Sequence, residues 1–144
     1  MDYSSLDFYS EDIEFLLPNE DNISSWVNKV AEKHTCKIEN VSIIFCSDEF
    51  LLDLNQQHLQ HDFYTDILTF PFQEKGTKWL MGDIFISIDR VRENAVTLKT
   101  GFVNELHRVI IHGILHLIGF NDESEEEERE MRMREDEALA LRDF

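Results

Sequence analysis

The sequence predicts an α/β fold: a small mixed sheet of about four strands covered by about five helices. Short β-branched and apolar runs alternate with longer amphipathic stretches, the pattern of strands and helices built around one core. Only two prolines and five glycines interrupt 144 residues, which leaves little room for linkers, and no internal repeat is visible. One stretch, Phe102 to Ile118, is apolar on nearly every face and belongs at the centre of the domain.

Residues 3–9 alternate weakly and are expected to form a first strand. A helix follows from Asn22-Ile23-Ser24-Ser25 through Trp26, Val27, Val30 and Ala31, with Asn22 or Ser24 as its cap. Val41 to Cys46 is β-branched and apolar and reads as a buried strand. Ser47-Asp48-Glu49 then opens a helix through Phe50, Leu51, Leu54 and Leu59. Asp66 to Pro71 reads as a short strand, and Pro71, which has no N–H for a ladder, places it at an edge or at a strand end. Gly82 to Ser87 is the next strand, and Asp89 to Leu98 the amphipathic helix after it. Beyond the apolar helix, Ser124 to Leu141 is charged and helical, with Ser124 and Glu127 spaced as a capping box.

The formal net charge is −17. A charge of that sign repels nucleic acid, so a polyanionic partner requires a local basic patch or a bound cation. No apolar run approaches the roughly 20 residues that span a bilayer. The start of the chain, Met1-Asp2-Tyr3-Ser4-Ser5, lacks the basic and apolar stretches of a secretory signal. Cys36 and Cys46 form no CxxC pair, which fits free thiols in a reducing cytoplasm.

The chemistry lies in His112-Gly113-Ile114-Leu115-His116-Leu117-Ile118-Gly119-Phe120-Asn121-Asp122. Two histidines four residues apart share one helix face, where a metal ion can sit between them. Gly119 is placed to end the helix, so the chain can turn back and present Asp122 as a third ligand. Two imidazoles and a carboxylate leave a position open, the pattern of a catalytic zinc site. Glu105 and Arg108 continue the polar stripe on the same helix and are expected to support the ligands. Gly113 stands where HExxH metalloproteases carry their glutamate base, which argues against peptide hydrolysis.

These residues resemble the YbeY family of bacterial metal-dependent endoribonucleases, whose signature reads HGxLHLxGYDH. Further segments that resemble the family are Leu54-Asn55, Thr65 to Pro71 and Gly82 to Ser87, and the order and spacing hold from about residue 40 onward. The chain departs from the family pattern at two positions: the third histidine falls on Asp122, and an arginine after Leu54-Asn55 falls on Leu59. The resemblance implies one zinc ion per chain, or another divalent metal, held by His112, His116 and Asp122. It also implies cleavage of single-stranded RNA in ribosomal RNA maturation, at the 3′ end of the small-subunit RNA, and in ribosome quality control. Expected partners are ribosomal RNA and the ribosome or small-subunit assembly factors, in the cytoplasm and not at a membrane. Residues 1–144 are expected to form a single metal-dependent hydrolase domain, with His112, His116 and Arg108 as catalytic residues.

The resemblance implies that this arginine serves the substrate phosphate, and with Leu59 in its place the donor expected here is His58, His61 or Arg108. His58 and His61 also read as solvent-facing residues at a helix end. Thr65-Asp66 reads either as a turn before a strand or as part of the cleft. The run Glu125 to Glu128 is a solvated first helical turn, and Lys75 and Lys78 flank Gly76 on a loop. Two other functions compete: a metzincin-like metallopeptidase, from the HxxxHxxGxxD spacing, and a catalytically weak ribosome-associated binding module.

Overall fold

The computed structural model describes residues 5–60 and 62–144. Its elements run β1 (Ser5–Ser10), α1 (Glu20–Lys33), β2 (Lys37–Cys46), α2 (Asp48–Leu59), β3 (Ile67–Pro71), β4 (Trp79–Ser87), α3 (Ile88–Thr97), α4 (Phe102–Ile118) and α5 (Glu125–Ala140). Among the described residues the strands form one mixed sheet in the order β1-β2-β4-β3. β1, β2 and β4 are mutually parallel, and β3 runs antiparallel to β4. Pro71 ends the edge strand β3, where its missing N–H costs nothing.

Strand side chains alternate between two faces. Ile84 and Ile86 enter the main core with α1, α3, α4 and α5, whereas Phe85 joins Leu68, Cys46, Phe50 and Leu51 beneath α2. α4 lies against β3 and β4, and two glycines allow its approach. A Cβ on Gly113 would stand 2.8 Å from Ile84 Cγ2 and 2.9 Å from Ile67 Cδ1. One on Gly82 would stand 2.6 Å from the carbonyl oxygen of Phe70 and 3.1 Å from Leu117 Cδ2.

The expected start of α1 is corrected. The helix begins at Glu20, and its N-cap is Asn19 in the left-handed region without a side-chain cap bond, not Asn22 or Ser24. Glu20 and Asp21 lie in the first turn, where negative charge suits the positive end of the helix. β2 starts four residues before Val41 and β4 three before Gly82, because the ladder pairs Lys37 with Trp79 and Ile38 with Leu80. In the expected first strand, Tyr3 and Ser4 lie outside the described residues. Ser47 caps α2 through the N–H of Phe50, and the Ser124–Glu127 capping box is formed. No helix among the described residues is long and apolar enough to cross a membrane.

Candidate metal centre

α4 delivers His112 and His116 on one face, one turn apart, with ring centroids separated by 4.5 Å. Gly119 then takes φ 127°, a conformation that side chains resist, and its N–H donates to the carbonyls of Leu115 and His116. The chain reverses there and returns Asp122 to the histidines. The two Nε2 atoms are 3.0 Å apart, and Asp122 Oδ2 lies 3.3 Å from His112 Nε2 and 3.5 Å from His116 Nε2. Donor atoms sharing a tetrahedral zinc ion at bonds of about 2.0–2.1 Å stand about 3.3 Å from one another. The triangle therefore has the size that one metal ion requires, and His112, His116 and Asp122 can hold one.

α5 braces this triangle. Glu135 is 5% exposed, and its Oε2 stands 2.6 Å from His112 Nδ1. Its other oxygen accepts from Arg108 Nη1 at 2.8 Å, and Arg108 Nη2 donates to Asp136 at 2.7 Å. Burial alone would raise the Glu135 carboxyl, but the hydrogen bonds from His112 and Arg108 hold it below the usual range, so it is ionised. An ionised carboxylate only accepts, so His112 places its proton on Nδ1 and turns the Nε2 lone pair toward Asp122 and His116. Burial would lower the basicity of His112, but Glu135, Asp122 and Asp66 together outweigh it and raise it. His116, half-buried and beside His112, is pushed the other way.

An open cleft of about 810 Å³ is lined by His112, Asp122, Glu125, Glu128, Arg129, Met131, Arg132 and Glu135. A second, of about 300 Å³, adjoins it at His112 and includes Asp66, Glu105 and Arg108. Burial raises the carboxyls of Asp66 and Glu105 above their ordinary range. Asp66 is thus a wall of the cleft as well as the residue preceding β3.

The structure brings together His112, His116, Asp122 and Arg108. His58 and Leu59 are exposed on the last turn of α2 and line neither cleft, and His61 lies outside the described residues. Glu135 and Arg132 escaped the sequence reading. Glu135 has a signal in hindsight: it falls between Met131 and Leu139 at helical spacing, a charge in the buried stripe of α5. Arg132 is exposed and carries no such mark.

A family model described as Endoribonuclease YbeY matches residues 7–142. The chain belongs to the YbeY endoribonuclease family. A protein named Endoribonuclease YbeY from Parabacteroides distasonis is 49% identical, over 93% of this chain and 93% of its own length. A YbeY of the same name from Cytophaga hutchinsonii is 46% identical over 95% of each chain. Among solved structures, the solution structure of TM1509 from Thermotoga maritima superposes with a TM-score of 0.65 at 28% identity, covering 95% of this chain and 88% of the other. Within this YbeY-family chain the donor triangle that could hold a metal ion is completed by a carboxylate, Asp122.

Proposed function

We propose that the protein is a zinc-dependent endoribonuclease that cleaves single-stranded RNA in the cytoplasm. Its task would be ribosomal RNA maturation, at the 3′ end of the small-subunit RNA, and ribosome quality control, with the ribosome or its assembly factors as partners. The single domain spans residues 1–144. The observation that carries this reading is the donor triangle of His112, His116 and Asp122, opened to a cleft and braced by Glu135, in a chain of the YbeY family.

When bound, the ion supplies Lewis acidity that activates water and offsets charge developing on a phosphate. The protein's own residues do the rest. Glu135 fixes the tautomer and direction of His112, and Arg108 holds Glu135 from behind. Arg108 spends one N–H on each of two carboxylates and has five, so it can still meet a phosphate oxygen at the cleft wall. Asp66, whose burial favours the protonated form, stands in the same cleft to exchange a proton with the substrate.

The peptidase reading loses its base. Position 113 faces Ile84 and Ile67, so a glutamate there would be driven into the sheet and not toward the cleft. The test is cleavage of a single-stranded RNA by zinc-loaded protein, before and after chelation. Cleavage that chelation abolishes and zinc restores is expected. Intact RNA after prolonged incubation with fully loaded protein would overturn the proposal, and ribosome binding that survives in His112→Ala would then favour the binding module.

A further inference from the structure

The lysines of this chain are not spread evenly. Residues 29–40 and 72–81 hold five of the six, with three glutamates; the two segments carry +2 and the remainder −19. Both segments meet at one end of the sheet. Lys37 pairs with Trp79 in the β2–β4 ladder, its N–H donates to the carbonyl of Lys78 at 2.8 Å, and its Nζ lies 5.6 Å from the centre of the Trp79 ring.

The same end exposes aromatic rings. Trp79 is 51% and Phe72 64% exposed, whereas the other tryptophan, Trp26, is 3% exposed. Trp79 and Phe72 flank a groove of about 340 Å³ that is lined besides by Met81 and by the polar Gln73, Thr77, Glu39 and Glu74. This end also adjoins the metal centre. Gln73 donates to the carbonyl of Leu117, the residue after His116, at 2.9 Å. The ring of His34, at the end of α1, stands 5.4 Å from that of Phe120 in the turn that carries Asp122.

We propose that this end of the sheet is a track for single-stranded RNA leading to the metal centre, with Trp79 and Phe72 stacking bases and Lys37, Lys75 and Lys78 meeting phosphates. The proposal rests on the nuclease reading above. Exposed rings beside cations are how single strands are held without regard to sequence. A protein interface would deplete lysine around its aromatic centre, the reverse of what stands here. Glu39 and Glu74 line the groove and repel phosphate from it, which favours the backbone on the lysines outside the groove and turns the bases, whose amino groups these carboxylates can accept, inward.

The experiment uses zinc-loaded protein and two uridine-rich strands of about 12 and about 4 nucleotides, the longer able to span both regions. Binding is read from tryptophan fluorescence with a 2′-O-methyl version of each strand, and cleavage from the RNA version. Because Trp26 is buried, quenching reports Trp79. The longer strand is expected to quench, and Trp79→Ala or Phe72→Ala to weaken its binding, read by anisotropy of a dye-labelled strand, roughly 5- to 100-fold. These variants raise KM on the longer strand, leave kcat alone and leave the shorter strand unaffected, while Trp79→Phe restores binding. Lys37→Gln with Lys78→Gln should lower the slope of log affinity against log salt by about 1.4, at about 0.7 for each phosphate that no longer meets a lysine. The track is overturned if wild-type protein cleaves the longer strand while Trp79 fluorescence stays fixed. Quenching by polyglutamate as strong as by RNA also overturns it and assigns the face to an acidic peptide. Quenching by RNA without any cleavage leaves the track standing and removes the nuclease reading.

Discussion

Glu135 makes no contact with the expected position of a metal ion, yet it decides which nitrogen of His112 can bind one. Carboxylates in this outer position typically alter metal affinity by about 10- to 100-fold when removed. Glu135→Gln keeps the shape but can offer its NH₂ to Nδ1, which invites the wrong tautomer. It should weaken zinc binding by about that factor, measured by competition with a chromophoric chelator, with the fold intact by circular dichroism. Asp122→Ala should lose most of the zinc that copurifies with untagged wild-type protein, and Asp122→His should retain it, both read by elemental analysis. At this scale the sequence was most legible where chemistry is local. His112 and His116 are one turn apart and Asp122 lies three residues past Gly119, so helix geometry alone suggests the triangle. Glu135 is 23 residues from His112, and only the packing of α5 on α4 joins them.

The next scale is the seating of α4 on the sheet, which sets where both histidines stand. Gly82→Ala forces a methyl against a backbone carbonyl that cannot turn aside. About 3 kcal/mol of stability should be lost, by urea denaturation, with weaker zinc binding as Leu117 and its neighbour His116 shift. Gly113→Ala meets only isoleucine methyls and gains roughly 1 kcal/mol of helix propensity, so a net loss of about 1 kcal/mol is expected. A larger loss for Gly113→Ala than for Gly82→Ala would contradict this account of the packing. Elements with strong periodicity or caps were read closely: α4 has the expected bounds, and α2 and α5 begin at the expected serines. The starts of β2 and β4 were not, because Lys37 and Trp79 are exposed residues recruited by ladder pairing and not by burial. The start of α1 was missed because its cap is a backbone conformation at Asn19, which no side-chain signal announces.

The whole molecule is closed by a clasp between the end of α5 and the helices beneath it. Arg142 donates to His107 Nδ1 at 2.8 Å and to Asn104 at 2.9 Å, Trp26 Nε1 donates to the carbonyl of Ala138 at 2.8 Å, and Phe144 packs on both His107 and Trp26. Burial, aided by the Arg142 charge, lowers the His107 pKa from 6.5 to about 4. The folded state therefore binds fewer protons than the unfolded chain between these values. Stability from His107 is complete above pH 6.5 and is lost as the pH falls toward 4, by at most about 3 kcal/mol. Urea titrations at pH 7 and pH 5 should show this loss, and His107→Gln, which can still accept from Arg142, should lose less. An equal acid loss in the variant would assign the effect to other groups.

Glu135 and the Ala138 carbonyl of the clasp lie on α5, and Arg142 and Phe144 follow it, so all are synthesised after the three candidate ligands His112, His116 and Asp122. At ordinary translation rates of about 5–20 residues per second, the interval between Asp122 and Glu135 lasts about 0.7–2.6 s. During that interval a nascent chain has all three candidate ligands but lacks the carboxylate that orients His112. The order of synthesis thus delays a competent centre until α5 has docked.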